Sequence, residues 1–493
     1  MQHYLRRMKQ PSTLELEIKQ LELLSKGLSP DINERETARN SVIQYTEEFL
    51  EALPDKKAYV VTEDKGKALL DSPISDEGTT LPSLISIVKE NVDTPGLNPA
   101  SGGHLGYIPG GGIYTSSLGD YMADISNRYS GIFFASPGAV RMENMLTDWM
   151  CNFVDYPATA GGTLTSGGSI ANLIGIVTAR DVKGIKARDI ERSVIYTTTQ
   201  VHHSANKAIR IAGLGEAILR NIPLDNLQRM DAVALESAIE DDIKTGLKPF
   251  LIIASMGTTD TGAIDPIEVI GNIAGKYNLW FHLDAAYGGF FMLCDEIKQR
   301  IKGIEKADSI VMDPHKGLFI PYGSGALIVR DKAHLAKSQY YTANYMQDAK
   351  ASVDEISPAE ISPELTRHFR GMRLWLPLKL HGVNSFRAAL TEKLLLARYF
   401  HDQISKIPGY EVLNYPELSV VAFRYLPDGL DADSFNKKLV EEVQKDGRVF
   451  LSSTIVNDRF TIRLAVLSFR THLETINLTI QILSEKIDSL LSS

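Results

Sequence analysis

The chain is poor in cysteine, with only Cys151 and Cys294 among its 493 residues. Two cysteines cannot form the disulfide framework of a small secreted protein, and they are too few for a structural zinc site. No stretch approaches the roughly 18 consecutive apolar residues that span a bilayer. The first twenty residues have no apolar run after their basic ones, as a secretory signal would have. We therefore expect a cytoplasmic protein with no metal site and no membrane span.

Positive charge is not in excess either. The chain has 52 basic and 61 acidic residues, a formal net charge of −9. This balance argues against nucleic acid or an anionic membrane as the main partner. The hydrophobic share of 44% and the charged share of 23% are ordinary for a globular protein. The length allows two or three domains.

The segment from Leu279 to Arg330 organises the chain. Two short apolar runs in it, WFHL and SIVM, have the composition of buried strands. Asp284 directly follows the first run, and His315 and Lys316 follow the second. Because the carboxyl ends of parallel strands share one edge, where such sheets bind ligands, we expect these residues to lie together. A carboxylate and an amine there suit pyridoxal phosphate: Lys316 would bind its aldehyde covalently, and Asp284 would pair with its ring nitrogen.

Two motifs in this segment carry a family resemblance. HLDAAYGG, followed at this spacing by DPHK, resembles the group II pyridoxal-phosphate decarboxylases, the family of aromatic L-amino acid, tyrosine, histidine and glutamate decarboxylases. The resemblance runs from about His104 to the end of the chain. It implies an α/β fold of the pyridoxal-phosphate-dependent transferase type (aspartate aminotransferase-like, fold type I). It also implies a homodimer with the active site at the interface and a small amino acid as substrate.

The pattern of elements predicts three regions. Strands alternate with helices from about residue 160, which predicts a mainly parallel, doubly wound sheet of about seven strands. We place the large cofactor-binding domain at 101–370 and a small α+β domain at 371–493. Residues 1–100 are predicted to form a helical arm, since STLE is a capping box and apolar residues follow at helical spacing. The resemblance implies that this arm wraps a partner subunit, although it could instead pack on its own domain.

Further cofactor contacts are expected around the ring and the phosphate. Gly167, Gly168 and Ser169 precede a predicted helix with Ser169 as its N-cap, and backbone donors at such a position suit a phosphate. A Gly-Gly-Ser turn before a helix is also common without any ligand. The resemblance implies that His315 contacts the phosphate or the lysine linkage, and that Thr259 lies near the 3′-oxygen.

The resemblance also implies residues on the two faces of the cofactor ring. His202 matches the stacking histidine and Ala286 the residue on the other face. His203 is a competitor for the first role. The family pattern of Gln, a small residue, His, any residue and Ser fits Gln200 to Ser204 and favours His202.

The polar, proline-punctuated stretch 338–364 has the composition of a mobile lid. Counted along this loop, the resemblance assigns to Tyr345 the return of a proton to the substrate Cα after carbon dioxide leaves. Tyr340 and Tyr341 are nearby competitors for this role.

The substrate pocket is assigned to Tyr107, Pro109, Phe133 and Phe134. The aromatic rings of Tyr107, Phe133 and Phe134 favour an aromatic or bulky apolar side chain. Arg141 would instead suit an acidic side chain. The animal aromatic decarboxylases of this family have Asn before Pro-His-Lys, where this chain has Asp313, although acidic versions occur among microbial relatives.

We expect decarboxylation of an L-amino acid, with an aromatic one favoured, to the amine and carbon dioxide. The alternatives within the fold are a decarboxylase of an acidic or other amino acid and an aldehyde-forming or C–C lyase. From another class, the alternative is a cofactor-binding protein without turnover, against which the retention of Lys316, Asp284 and His202 argues.

Overall fold

The computed structural model of the chain describes residues 12–339 and 355–492. They form two compact units, one of residues 12–56 with 61–96 and one of residues 57–60 with those from 97 onward. The first unit is helical. Its helices are α1 (Thr13–Leu24), α2 (Ile32–Glu51) and α3 (Leu81–Val88). Ser12 and Asp31 open α1 and α2 as N-caps of complete capping boxes, so the STLE prediction is confirmed.

The second unit alternates helices and strands. Its helices are α4 (Tyr114–Ser126), α5 (Pro137–Phe153), α6 (Gly168–Val182), α7 (His203–Ile211), α8 (Ala232–Lys244), α9 (Ile267–Lys276), α10 (Asp295–Arg300), α11 (Pro314–Gly317), α12 (Lys332–Gln339), α13 (Gly371–Ile404), α14 (Ala432–Asp446) and α15 (Leu473–Leu491). The strands among the described residues are β1 (Tyr59–Val60), β2 (Gly96–Leu97), β3 (Gly161–Thr165), β4 (Ser193–Thr197), β5 (Ile218–Asn221), β6 (Lys248–Ser255), β7 (Trp280–Asp284), β8 (Ser309–Met312), β9 (Gly325–Val329), β10 (Tyr410–Val412), β11 (Val420–Tyr425), β12 (Ser452–Val456) and β13 (Arg459–Ala465).

A seven-stranded sheet forms the centre of the second unit. Its strand order is β3-β9-β8-β7-β6-β4-β5. The five strands from β8 to β5 run parallel, and β9 is antiparallel to both β8 and β3. Strands β3, β4, β7, β8 and β9 are buried along their whole length, as expected for a sheet covered by helices on both faces. The predicted doubly wound, mainly parallel sheet is therefore confirmed.

Pairing in this sheet brings the ends of three parallel strands together. Asp284 at the end of β7 pairs with Ser255 on β6 and with Val311 on β8. The loops that leave β6, β7 and β8 therefore emerge side by side at one edge of the sheet.

A second, antiparallel sheet has the order β10-β11-β13-β12. A separate apolar core lies between it and helices α13, α14 and α15. This arrangement of strands and helices after Gly371 agrees with the predicted α+β fold of that region. The domain limits at 100 and 370 remain a prediction. No helix among the described residues is both long and apolar enough to cross a membrane.

The ends of two helices have local causes. Helix α2 ends at Glu51 and gives way to a 3-10 turn over Leu53–Asp55, because Pro54 cannot continue an α-helix. The prediction of Ser169 as an N-cap is wrong: the N-cap is Gly167, and Ser169 lies inside the first turn of α6. Gly167 has a φ of 153°, which a serine would rarely adopt.

The imidazole ring of His104, in the loop before α4, is buried. Neither ring nitrogen has a partner among the described residues, and the ring packs edge-on against Phe450 with centroids 5.8 Å apart. Burial lowers the pKa of His104 to about 4. An unfolded histidine has a pKa of about 6.5, so acid favours the unfolded chain between these two values.

We predict that His104→Leu weakens the acid sensitivity of the fold. Between pH 7 and pH 5 the histidine becomes protonated in the unfolded chain but stays neutral in the folded one. This lowers the free energy of unfolding of the wild type by roughly 2 kcal/mol. Urea unfolding at the two pH values should show a smaller loss in the variant. Phe400→Leu, a packing change in the apolar core of the second sheet, should lower stability equally at both pH values. An unchanged pH difference in His104→Leu would contradict the prediction.

Candidate active site

A cavity of about 350 Å³ opens at the carboxyl edge of the large sheet. Loops that follow β3, β4, β6, β7 and β8 supply its lining. All nine residues predicted to contact the cofactor line this cavity: Gly167, Gly168, Ser169, His202, Thr259, Asp284, Ala286, His315 and Lys316. Residues spread over 150 positions of sequence therefore meet at one place, because the parallel strands end there together.

Lys316 lies in the short helix α11 and forms an ion pair in the cavity. Its Nζ is 3.2 Å from Oδ2 of Asp313, whose side chain is buried. Nε2 of His315 lies 3.7 Å from the same oxygen, and Nδ1 of His315 contacts the carbonyl oxygen of Ser324. Burial lowers the pKa of His315. The other oxygen of Asp313 has no hydrogen-bond partner among the described residues.

Asp284 ends β7 and accepts two hydrogen bonds. Oδ1 accepts the backbone N–H of Ala286 at 3.1 Å, and Oδ2 accepts the amide of Asn172 at 3.0 Å. The carboxylate is only 8% exposed, yet it lines the cavity. Two donors and an open side suit an anion that pairs with a cationic ligand.

His202 is the N-cap of α7, and its side chain accepts the backbone N–H of Ser204. Its Nδ1 is also 2.7 Å from the Ser204 hydroxyl. Burial lowers the pKa of His202, and the charge of Asp284 opposes this effect. His203 is exposed and is not part of the cavity lining.

A glycine turn at the start of α6 forms one end of the cavity. A Cβ on Gly168 would lie 2.9 Å from Oδ2 of Asp313, so a side chain here would have to displace that buried carboxylate. Glycine therefore lets the helix start approach the DPHK turn. The first N–H groups of α6 have no partner within the helix, which makes this end an anion-binding position.

The cavity fits pyridoxal phosphate by the chemistry of its side chains. It combines an amine at Lys316, a carboxylate at Asp284 and a helix start at Gly168. The buried oxygens of Gln200 and Asp313 that lack partners among the described residues are further polar groups on this cavity. Residues 12–339 and 355–492 contain no cluster of three or more His, Cys, Asp or Glu side chains that could hold a metal ion.

The four residues assigned to the substrate pocket do not line this cavity. Tyr107 and Phe134 are more than half exposed, whereas Pro109 and Phe133 are buried. Phe133 packs under the guanidinium of Arg141, 5.1 Å from its ring centroid.

Arg141 is already engaged by other side chains. Its Nε is 2.9 Å from a carboxylate oxygen of Glu355, and its guanidinium lies over Phe133. The assignments of Tyr340, Tyr341 and Tyr345 fall outside the described residues.

Several cavity residues were missed by reasoning from sequence. Asn172, Ser204 and Tyr287 line the cavity, and Asn172 and Ser204 bond to each other at 3.2 Å. The available signal was a polar residue in the apolar run IANLIGIV, but such a residue is equally compatible with an exposed helix face.

Comparison with known proteins agrees with this geometry. The family profile described as the pyridoxal-dependent decarboxylase conserved domain matches residues 64–426. The aromatic-L-amino-acid decarboxylase of Bacillus atrophaeus is 32% identical over 410 residues, covering 82% of this chain and 85% of that protein. The phenylacetaldehyde synthase of Arabidopsis thaliana is 26% identical over 413 residues, covering 81% and 84%.

A solved structure shares the fold. The crystal structure of Oryza sativa TDC with PLP and tryptamine superposes with a TM-score of 0.89 at 23% identity and covers 94% of this chain and 99% of that one. The matched profile spans most of the chain, including the strands and loops that form the cavity. This chain is accordingly a member of the pyridoxal-dependent decarboxylase family, a carboxy-lyase of fold type I whose cofactor is pyridoxal phosphate.

Proposed function

We propose that the enzyme converts an aromatic L-amino acid into the corresponding amine and carbon dioxide. The observation that carries the proposal is the meeting of Lys316, Asp284 and His202 in one cavity at the ends of the parallel strands. The substrate class rests on the relatives, among them the aromatic-L-amino-acid decarboxylase of Bacillus atrophaeus. The engagement of Arg141 by Glu355 disfavours its use for an acidic substrate side chain.

The cavity residues predicted to contact the cofactor have proposed roles. Lys316 binds the cofactor covalently through its aldehyde. Asp284 holds the proton of the ring nitrogen, and a charge-assisted hydrogen bond of this kind is worth roughly 1.5–3 kcal/mol. The cofactor, when bound, supplies an electron sink for the charge left on the substrate Cα. His202 and Ala286 would pack on the two faces of the ring, and Thr259 would lie by its 3′-oxygen.

The phosphate is proposed to bind at the start of α6. The backbone N–H groups of Gly168 and Ser169 would donate to it, and His315 would contribute from the DPHK turn. Gly167, whose own N–H donates to Thr165 Oγ1 at 3.3 Å, would contribute through the turn that it forms. Tyr345 is proposed to return a proton to Cα, with Tyr340 and Tyr341 as alternatives.

An aldehyde-forming reaction is the second candidate. The similarity to a phenylacetaldehyde synthase supports it. The two reactions differ in products, since the aldehyde route gives ammonia and peroxide with the aldehyde and consumes oxygen.

A panel of amino acids tests the proposed reaction. We predict that the purified holoenzyme releases carbon dioxide and an equal amount of amine from phenylalanine, tyrosine or tryptophan, with at least tenfold lower rates on glutamate and aspartate. Lys316→Ala should abolish turnover, because the covalent link to the cofactor is lost. Peroxide and aldehyde in place of amine would support the second candidate, and exclusive turnover of acidic substrates would contradict the substrate class.

A glycine substitution tests the phosphate position. We predict that Gly168→Ala raises the dissociation constant for pyridoxal phosphate at least tenfold, because its methyl group would collide with Asp313 beside the proposed phosphate site. Cofactor absorbance during titration of the apoprotein measures this. The control is Gly138→Ala near the start of α5, where a Cβ meets nothing within 4 Å. Equal affinity in both variants would contradict the assignment.

We also propose that the protein is a cytoplasmic homodimer. Two apolar faces support the dimer. Helix α1 carries Leu14, Leu16, Ile18, Leu21, Leu23 and Leu24, each at least 46% exposed. Helix α4 exposes Tyr114, Leu118, Tyr121, Met122 and Ile125 at helical spacing. Such contiguous exposed apolar patches are typical of interfaces. The cytoplasmic location is in keeping with two free, buried cysteines.

The dimer is tested with single substitutions in the full chain. We predict that Ile125→Glu on α4 shifts the sedimentation coefficient from that of a dimer toward that of a monomer, because a charge would be buried at the interface. The matched control is Val233→Glu on α8, an isolated exposed apolar residue, which should remain dimeric. A wild-type protein that sediments as a monomer would contradict the homodimer.

The proposed domains of the chain are an arm at 1–100, a large domain at 101–370 and a small domain at 371–493. The arm includes the exposed face of α1, and the small domain includes the second sheet.

A further inference from the structure

A chain of buried hydrogen bonds runs from the core of the large sheet to Asp284. Its members are Trp280 and His282 on β7, Ser309 on β8, and Asn172 on α6, all at most 1% exposed. The donor–acceptor distances are 2.8 Å from Trp280 Nε1 to Ser309 Oγ, 2.7 Å from Ser309 Oγ to His282 Nδ1, and 2.8 Å from His282 Nε2 to Asn172 Oδ1. This series of hydrogen bonds ends on Oδ2 of Asp284, which lies 3.0 Å from the Asn172 amide nitrogen.

The direction of every bond follows from Trp280. An indole N–H only donates, so Ser309 Oγ accepts from it. If Ser309 also accepted from His282, its own buried proton would have no acceptor, which is costly. Ser309 therefore donates to Nδ1 of His282, and His282 donates from Nε2 to Asn172. Asn172 is thereby held with its oxygen toward His282 and its NH₂ group toward Asp284.

The amide of Asn172 is also a branch point. Its second proton goes to Ser204 Oγ at 3.2 Å, and Ser204 is 2.7 Å from Nδ1 of His202. Because Ser204 accepts from Asn172, its own proton goes to His202. One buried amide thus contacts Asp284 directly and His202 through a hydroxyl. These are the two side chains proposed to meet the ring nitrogen and the ring face.

The packing of α6 is matched to this arrangement. Asn172 and Gly175 are three residues apart and lie on the same face of the helix. A Cβ on Gly175 would lie 2.6 Å from Cε1 and 2.9 Å from Nδ1 of His282. The absence of a side chain at Gly175 leaves the space for the imidazole that Asn172 needs as its donor.

We propose that Asn172, oriented by Trp280, Ser309 and His282, is a positioning residue that fixes both Asp284 and His202 for the cofactor. This inference rests on the proposed role of Asp284. Its physical content is that an amide turned the other way would present its oxygen to the carboxylate of Asp284. The carboxylate would then have to rotate or take up a proton, and its hold on a protonated ring nitrogen would weaken.

The test reads the ring nitrogen itself in the holoenzyme. Each protein is loaded with pyridoxal phosphate labelled with ¹⁵N in the ring, and the ¹⁵N chemical shift is recorded. In wild type we expect the shift of a protonated ring nitrogen. In Asn172→Leu we expect a move toward the unprotonated value and a fall in kcat on the order of 10- to 100-fold, as for other supporting residues around a reactive group.

A matched control separates positioning from stability. Asn436→Leu removes a buried amide in the small domain, where Asn436 bonds the backbone of Tyr425 and Ala432. It should lower the melting temperature but leave the ¹⁵N shift unchanged. If Asn172→Leu does the same, or fails to move the shift, the proposal is overturned.

A second variant carries the test even if Asn172→Leu does not fold. Gly175→Ala removes no polar group, and in an ordinary helix it would stabilise by up to about 1 kcal/mol. Here it should displace His282 and move the ¹⁵N shift in the same direction. Its control is Gly275→Ala on α9, where nothing lies within 4 Å of the added Cβ. Identical ¹⁵N shifts in wild type and Gly175→Ala would overturn the proposal.

Two further measurements distinguish the positioning role of Asn172 from the role of Asp284. We call the hydrogen-bonded series Trp280, Ser309, His282 and Asn172 the relay. Asp284→Asn should itself move the ring ¹⁵N shift; if it does not, the proposed role of Asp284 fails, and the relay with it. If Asp284→Asn moves the shift but the Asn172 and Gly175 variants do not, only the relay fails. Independently of the cofactor, ¹⁵N-histidine spectra of the apoprotein should show His282 as the neutral Nε2–H tautomer, identified by its loss in His282→Leu. An Nδ1–H tautomer would contradict the assigned directions of the hydrogen bonds.

Discussion

A carboxylate charge placed at the end of a buried strand is the constraint on which the site depends. Asp284 follows four buried residues of β7, and a bare charge there would be strongly unfavourable. The structure compensates with a backbone N–H from Ala286 and the amide of Asn172. The amide in turn needs a donor, which His282 provides, and burial keeps His282 neutral by lowering its pKa to about 4. One charge at the cavity thus constrains a series of four hydrogen bonds that reaches Trp280 in the core.

Much of the fold could be predicted from local patterns. The runs WFHL, SIVM and GALIV became β7, β8 and β9 because short, β-branched and apolar segments bounded by turns have few other stable forms. The meeting of Asp284 and Lys316 could also be predicted, since parallel strands bring their carboxyl ends to one edge. By contrast, the antiparallel direction of β9 has no signature in the composition of GALIV. The N-cap at Gly167 rather than Ser169 depends on a backbone conformation that the sequence only permits.

The supporting residues of the site were harder to recognise. Asn172 and His282 interrupt apolar segments, yet a single polar residue in such a segment carries no indication of its partner. Their contact joins residues 110 positions apart, and it depends on how α6 lies across the sheet. The placement of Tyr107 and Phe134 away from the described cavity depends in the same way on tertiary packing. The chemistry of the cavity residues can suggest a cofactor. The residues that hold those side chains in place depend on tertiary packing.

The length of one turn of helix α6 limits which ligands the cavity can bind. Gly168 and Asn172 stand four residues apart on this helix, so their backbones are separated by roughly 6 Å along its axis. The first belongs to the helix start, which favours an anion, and the second holds the carboxylate that favours a cation. This one helix therefore fixes the distance between the anion-binding end and the cation-binding end of the cavity. Under the proposed assignments, it selects ligands whose phosphate and basic nitrogen have a matching separation, and an insertion within this turn of α6 would change that length for both ends at once.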